Sequence, residues 1–253
     1  MTRTLEQLPA FFGELAAWTA AAAVPAEVIR YGGHHDQRLE LRGSGGPTVL
    51  VIHGGFWRAG FTLANTAALA SALAQAGWTT ANVEYRRGGP GTWRALLDDV
   101  RAAADAVGPA AAIGHSAGGH LAIWLAAERA VGSAVALGGV CDLVAGARTH
   151  VGGGAVQEFL GGEPADVPEA YAAADPARKL PLGRPHALVH GTEDDRVPVA
   201  LARAYAARAG ADCRLLEIEG ADHFDVIDPR SAAWPVVHGT LEQLVATATG
   251  DED

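Results

Sequence analysis

The 253-residue sequence predicts an α/β protein: a mostly parallel central sheet with helices on both faces. Three observations carry this expectation. Short β-branched apolar runs such as Thr48-Val49-Leu50-Val51-Ile52 have the composition of strands buried on both faces. They alternate with longer segments whose large apolar residues recur at helical spacing. Between one such run and one such segment lies Gly114-His115-Ser116-Ala117-Gly118. Strand, turn and helix are the context in which a G-x-S-x-G pattern lifts a serine hydroxyl clear of the sheet, and the flanking glycines leave room for the turn.

Taken in order, residues 5–23 carry Leu8, Phe11, Phe12, Leu15 and Trp18 at helical spacing. They predict an amphipathic helix stopped by Pro25, an N-terminal unit over 1–25 that packs as a lid or flank. Residues 27–31 and 38–41 read as strands joined by Gly32-Gly33-His34-His35-Asp36. No further ligand spacing accompanies the two histidines, so a polar hairpin turn is expected there and no metal. The strand at 48–52 delivers His53-Gly54-Gly55-Phe56-Trp57. Paired glycines directly after a central strand let the backbone point N–H groups inward as an oxyanion hole. A helix over 63–76 closes at Gly77, and a strand over 79–85 ends at Arg86 and Arg87, either of which could meet a substrate carboxylate. A helix over 93–107, a strand over 109–113 and a helix over 119–128 frame Ser116.

After a strand at 133–137 the alternation lapses. Residues 144–182 are rich in Gly, Pro and Ala, with short helical pieces such as 155–160, and read as a cap or binding-loop insertion at the carboxyl ends of the strands. A strand over 186–190 then runs into Glu193-Asp194-Asp195, where a triad carboxylate belongs; the residues alone leave the choice between the two aspartates open. A helix over 201–209 and a strand over 213–218 precede Asp222-His223, which completes the order Ser, Asp, His. A helix over 231–248 and an acidic tail over 250–253 close what is expected to be one domain, 1–253.

Composition excludes several classes of function. With 49% hydrophobic and 19% charged residues the chain reads as globular, and no apolar run is long enough to span a membrane. A net charge of −10 opposes nucleic acid and anionic membrane surfaces as partners and leaves a small-molecule substrate. Two cysteines, Cys141 and Cys213, are too few for a disulfide framework and belong to no zinc pattern. No signal peptide is evident, because Glu6 and Glu14 interrupt the only candidate core, and a cytoplasmic location is expected. A homodimer is left open.

The order of these motifs resembles the α/β-hydrolase superfamily over nearly the whole chain. His53-Gly54-Gly55-Phe56-Trp57, Gly114-His115-Ser116-Ala117-Gly118-Gly119-His120-Leu121 and Asp222-His223-Phe224-Asp225-Val226-Ile227 are similar to the motifs of kynurenine formamidase-like and related small esterases. That resemblance implies Ser116 as nucleophile, His223 as general base and acid, and Asp194 rather than Asp195 as the orienting acid. It also implies oxyanion donors from the backbone of Gly55, Phe56 and Ala117, and neither metal nor cofactor. Phe56 and Trp57, beside that loop, would suit an aromatic leaving group, with Arg86 or Arg87 for a carboxylate. The implied reactions are hydrolysis of N-formylkynurenine or of short acyl esters. A general short-chain carboxylesterase and a non-catalytic binding protein of the same fold are the alternatives.

Overall fold

In the computed structural model, which describes residues 2–22, 24–43 and 45–250, eight strands form one sheet. In chain order the elements are a 3-10 turn (Leu5–Gln7), α1 (Leu8–Ala22), β1 (Glu27–Arg30), β2 (Arg38–Arg42), β3 (Thr48–Ile52), α2 (Ala67–Gln75), β4 (Thr79–Glu84) and α3 (Trp93–Val107). There follow β5 (Ala111–His115), α4 (Ala117–Ala127), β6 (Ser133–Leu137), α5 (Leu143–Arg148), α6 (Ala155–Leu160), α7 (Pro168–Ala174), β7 (His186–Gly191), α8 (Val199–Ala209), β8 (Cys213–Ile218) and α9 (Trp234–Thr249). The spatial order is β1-β2-β4-β3-β5-β6-β7-β8. β1 and β2 are antiparallel, β2 joins β4 antiparallel, and every other pair is parallel. The expected mostly parallel sheet is therefore observed.

Alternation along the strands sorts the apolar residues onto two faces. Leu50 and Ile52 of β3 join α3, α4 and α8 on one side. Val49 and Val51 join α1, α2 and α9 on the other. Because helices cover both faces, α4 at the centre is apolar all round and every residue from Ala117 to Ala126 is buried.

Boundaries shift where local chemistry overrode the pattern. β5 runs two residues further than the 109–113 reading, because Gly114 and His115 stay extended to pair with Ala136 and Leu137 of β6. The final helix begins at Trp234, three residues late, with Pro235 in its first turn. Residues 144–182 are less irregular than expected, folding as most of α5, all of α6 and α7, and a 3-10 turn at Pro176–Lys179. The predicted end of the first helix, Ala23, and the tail residues 251–253 lie outside the described residues. Among the described residues, no helix is long and apolar enough to cross a membrane.

Candidate active site

Ser116 sits between β5 and α4 with φ 55° and ψ −119°, a left-handed conformation that L-residues adopt only where the surroundings force it. Those surroundings are glycines. A Cβ on Gly114 would overlap the Gly118 carbonyl, and one on Gly118 would overlap the Ile52 carbonyl of the neighbouring strand. The turn is anchored by the Ser116 N–H donating to Leu137 O at 2.8 Å. At its far side the Ser116 carbonyl accepts from the N–H groups of Gly119 and His120. The hydroxyl itself takes part in no hydrogen bond with the described residues, and it opens into a cavity of about 60 Å³ that His223 also lines.

His223 lies in the loop after β8, and its Nδ1–H donates to Asp194 Oδ2 at 2.7 Å. Asp194 is itself fixed: its Oδ1 accepts the N–H groups of Arg196 (2.9 Å) and Val197 (2.8 Å). The Nε2–H of His190, donated to Val197 O at 2.8 Å, lies 3.2 Å from Asp194 Oδ2 as well. Burial would raise the Asp194 pKa, but the hydrogen bonds and charges of His190 and His223 outweigh it and hold the carboxyl well below the usual carboxylate range. Asp195, by contrast, is largely exposed at 46% and, among the described residues, reaches Arg196 Nε alone, at 3.2 Å. With Nδ1 committed to Asp194, Nε2 is the ring nitrogen of His223 left for Ser116.

Two further features hold the histidine loop in place. Gly138, at φ 57°, leaves the space that a Cβ would take from the Asp194–His223 pair. The Nε2–H of His115 donates to the His223 carbonyl at 2.8 Å, and the two rings lie 4.5 Å apart. Burial, and then the His223 charge, push the His115 pKa down to about 3, so it serves as a neutral strut.

On the other side, the loop after β3 turns through Gly55 (φ 108°) and Phe56 (φ 53°). Among the described residues, the backbone N–H groups of Gly55, Phe56 and Ala117 have no acceptor within the protein. His53 underpins this loop. Its ring lies between Glu84 Oε1 (3.0 Å) and Gly54 O (2.8 Å), stacked on Tyr85.

Three expected substrate contacts are engaged elsewhere. Arg87 donates to Glu84 Oε1 at 2.6 Å and to the carbonyls of Phe61 and Tyr85, bracing the same loop. Arg86 grips the buried Asp99 through Nε at 2.9 Å and Nη2 at 2.6 Å. Trp57 is 2% exposed, stacks on Phe159 at 4.7 Å and donates its indole N–H to His120 Nδ1. None of the three lines the cavity: each arginine is held by a buried carboxylate beside its strand end, and the buried indole takes the nearest acceptor. The insertion is displaced from its expected role too. No residue from 144–182 lines the cavity; Phe159, Leu160 and Tyr171 are buried with α3 and α4 as core, and of the lining residues the Phe56 ring packs back on Gly152.

The cavity wall comes instead from the N-terminal segment, expected as a lid or flank, and from loop residues to which the sequence reading gave no substrate role. Leu5, Leu8 and Phe12 reach it from the N-terminal segment, Phe61 and Asn65 from the turn before α2, and Arg196 and Phe224 from the two loops of the acid and the histidine. Spacing could not separate Leu8 and Phe12 from core residues, since both lie on the stripe that buries Phe11 and Leu15. Among the described residues, His34, His35 and Asp36 form the cluster whose potential metal-ligand atoms converge within 4.8 Å. It lies on the β1–β2 turn, not on the cavity.

Fold and site together define an α/β-hydrolase-type protein. The chain belongs to the BD-FAE family, whose model matches residues 40–208. Among curated proteins, none matches it in sequence. The solved structure of esterase B from Lactobacillus rhamnosis HN001 superposes with a TM-score of 0.72 at 19% identity, covering 98% of this chain and 95% of that one. The same esterase in complex with a tributyrin phosphonate inhibitor gives 0.72 at 18% identity, over 98% and 96%. The thermophilic esterase Est2 from the planctomycete Thermogutta terrifontis gives 0.67 at 21% identity, over 88% and 92%. At these identities the likeness establishes the fold.

Proposed function

We propose that the protein is a serine hydrolase of short acyl esters that acts through Ser116, His223 and Asp194. The observation that carries the reading is the 2.7 Å Asp194–His223 bond beside a serine in a strained strand–helix turn. His223 Nε2 removes the Ser116 proton as Oγ attacks the acyl carbon. The carbonyl oxygen becomes an oxyanion held by the N–H groups of Gly55, Phe56 and Ala117, which await an acceptor in the free protein. The alcohol leaves with the proton from His223, and water then repeats the attack on the acyl-enzyme. Asp194 orients the ring and stabilises its charged form. The esterases that share this fold, one of them with a phosphonate inhibitor, support the same reaction class.

A formamide is the second substrate, and one observation favours it: Arg196, a permanent cation of the kind the carboxylate of N-formylkynurenine would need, is among the residues lining the cavity, with its Nη2 donating to the Arg3 carbonyl. The deciding experiment compares kcat/KM for p-nitrophenyl acetate, p-nitrophenyl butyrate and N-formylkynurenine. Turnover of the esters, abolished by Ser116→Ala, is expected. A formamide value hundreds of times below the acetate value rejects the formamidase reading, and no turnover of any of the three rejects both.

A further inference from the structure

We propose that the N-terminal arm, residues 2–12, is the element that sets the acyl length accepted at Ser116, and that Arg3 latches it to the loop carrying His223. The proposal rests on the hydrolase reading and adds the substrate class to it: straight acyl chains of up to about four carbons.

The arm is built to end at the site. Thr4 and Gln7 cap the 3-10 turn reciprocally, with the Thr4 N–H donating to Gln7 Oε1 at 2.9 Å, and the turn runs directly into α1. Leu5, Leu8 and Phe12 thereby line the cavity; Leu8 is at the same time buried in the core cluster with Phe11 and Leu15, and Phe12 packs against it. Leu5 is 68% exposed, an outlying leucine that packs in neither core cluster and lines the cavity, so an apolar chain there would cover it.

Arg3 fixes the arm to the histidine loop at three points. Its backbone N–H and Nη1 donate to Asp222 Oδ2 (3.0 Å) and Oδ1 (2.6 Å), and Nη2 donates to Asp225 Oδ1 at 2.9 Å. Asp222 is 1% exposed, and its Oδ1 also accepts the N–H groups of Phe224 and Asp225. One buried carboxylate thus ties the arm to the two residues that follow His223 in its loop. From the acid loop, Arg196 Nη2 donates to the Arg3 carbonyl at 2.9 Å. The Phe224 ring lies 5.8 Å from both Phe11 and Phe12 and 5.1 Å from His223.

The space left is small. A cavity of about 60 Å³ holds roughly four to six water-sized groups, so a butyryl chain fills it and a longer one meets Leu8 and Phe12. Its wall is mostly apolar, with Phe56, Phe61 and Phe224 completing what the arm begins, which suits an unbranched hydrocarbon.

The test is kcat/KM for p-nitrophenyl acetate, butyrate, hexanoate and octanoate, normalised to active sites titrated with a fluorophosphonate. Wild type should prefer acetate or butyrate over octanoate by at least about tenfold. Leu8→Ala and the exposed Leu5→Ala should each raise the octanoate-to-acetate ratio, Leu8→Ala by about tenfold, and Arg3→Gln should raise it by releasing the latch. Should Leu8→Ala fail to fold, Leu5→Ala and Arg3→Gln decide the matter. The surface variant Glu169→Ala, in the 144–182 insertion, should leave the ratio within about twofold. An unchanged ratio in the folded arm variants, or an equal change in Glu169→Ala, overturns the proposal while leaving the hydrolase reading intact. A folded wild type that neither titrates nor cleaves any ester overturns the hydrolase reading itself, and this inference with it.

Discussion

Replacing Asp194 with Asn changes one atom and should cost most of the activity. The Asp194 carboxylate accepts two hydrogen bonds on Oδ1 from backbone N–H groups and one on Oδ2 from His223 Nδ1–H, with the His190 Nε2–H, shared with Val197 O, 3.2 Å from the same Oδ2. An asparagine has only one acceptor oxygen. If that oxygen stays with the Arg196 and Val197 N–H groups, the new NH₂ faces His223 Nδ1 and makes it an acceptor. The ring proton then moves to Nε2, the nitrogen that must take the proton of Ser116. Neutralising a triad acid in this way lowers kcat by about 10⁴-fold, or about 5.5 kcal/mol of transition-state stabilisation. Asp195, exposed and paired only with Arg196, supplies a matched control whose Asn variant should stay within about threefold of wild type. Steady-state hydrolysis of p-nitrophenyl acetate, with circular dichroism to verify folding, reads both. Equal losses in the two variants, or an Asp194→Asn loss below tenfold in a folded protein, would refute the assignment.

Acid should destabilise the fold above the ordinary carboxylate range. Burial pushes His115 down to about 3 and His120 to about 4, so below about pH 6.5 the unfolded chain binds two protons that the folded chain refuses. Each histidine then costs about 1.4 kcal/mol per pH unit, about 4 kcal/mol together at pH 5. Asp175, raised by burial to about 6, opposes this: it is protonated when folded and ionised when unfolded, which restores about 1.4 kcal/mol at pH 5. Urea unfolding should therefore show about 3 kcal/mol less stability at pH 5 than at pH 7, and equal or greater stability at pH 5 contradicts the balance. The nucleophile turn gives a second test by melting temperature. Gly118→Ala should destabilise by about 1–3 kcal/mol, because its Cβ overlaps the Ile52 carbonyl. Gly13→Ala, exposed on α1 with open space around it, should stabilise by about 0.5–1 kcal/mol. A Gly118→Ala variant at least as stable as the wild type would mean that the turn is not sterically tight.

The sheet was legible because its strands are buried on both faces. Runs such as Thr48–Ile52 and Ser133–Leu137 have no polar alternation to confuse with anything else, and the helices between them fix the parallel topology. The turn around Ser116 was legible because its glycines are sterically compulsory. The reading of Asp194 over Asp195 came from resemblance, and the hydrogen-bond geometry gives the physical reason: only one of two adjacent residues in that loop can turn inward. What spacing could not convey is which apolar residues face empty space. Leu8 and Phe12 look like core, and Phe159 and Tyr171, in a Gly-rich insertion, look like a mobile cap. A helical stripe reports that a face is covered, not whether protein or substrate covers it. Arg86 and Arg87 illustrate the converse error, since a position at a strand end says nothing about the buried Asp99 and Glu84 waiting beside it.

The most direct measurement on the central claim is the site of covalent reaction with a fluorophosphonate probe, read by peptide mass spectrometry on the intact protein. A serine activated by His223 and flanked by free backbone donors should form one stoichiometric adduct, on Ser116, and the folded Ser116→Ala variant should form none. A folded wild-type protein that stays unlabelled, or an adduct that persists in Ser116→Ala, would contradict the account.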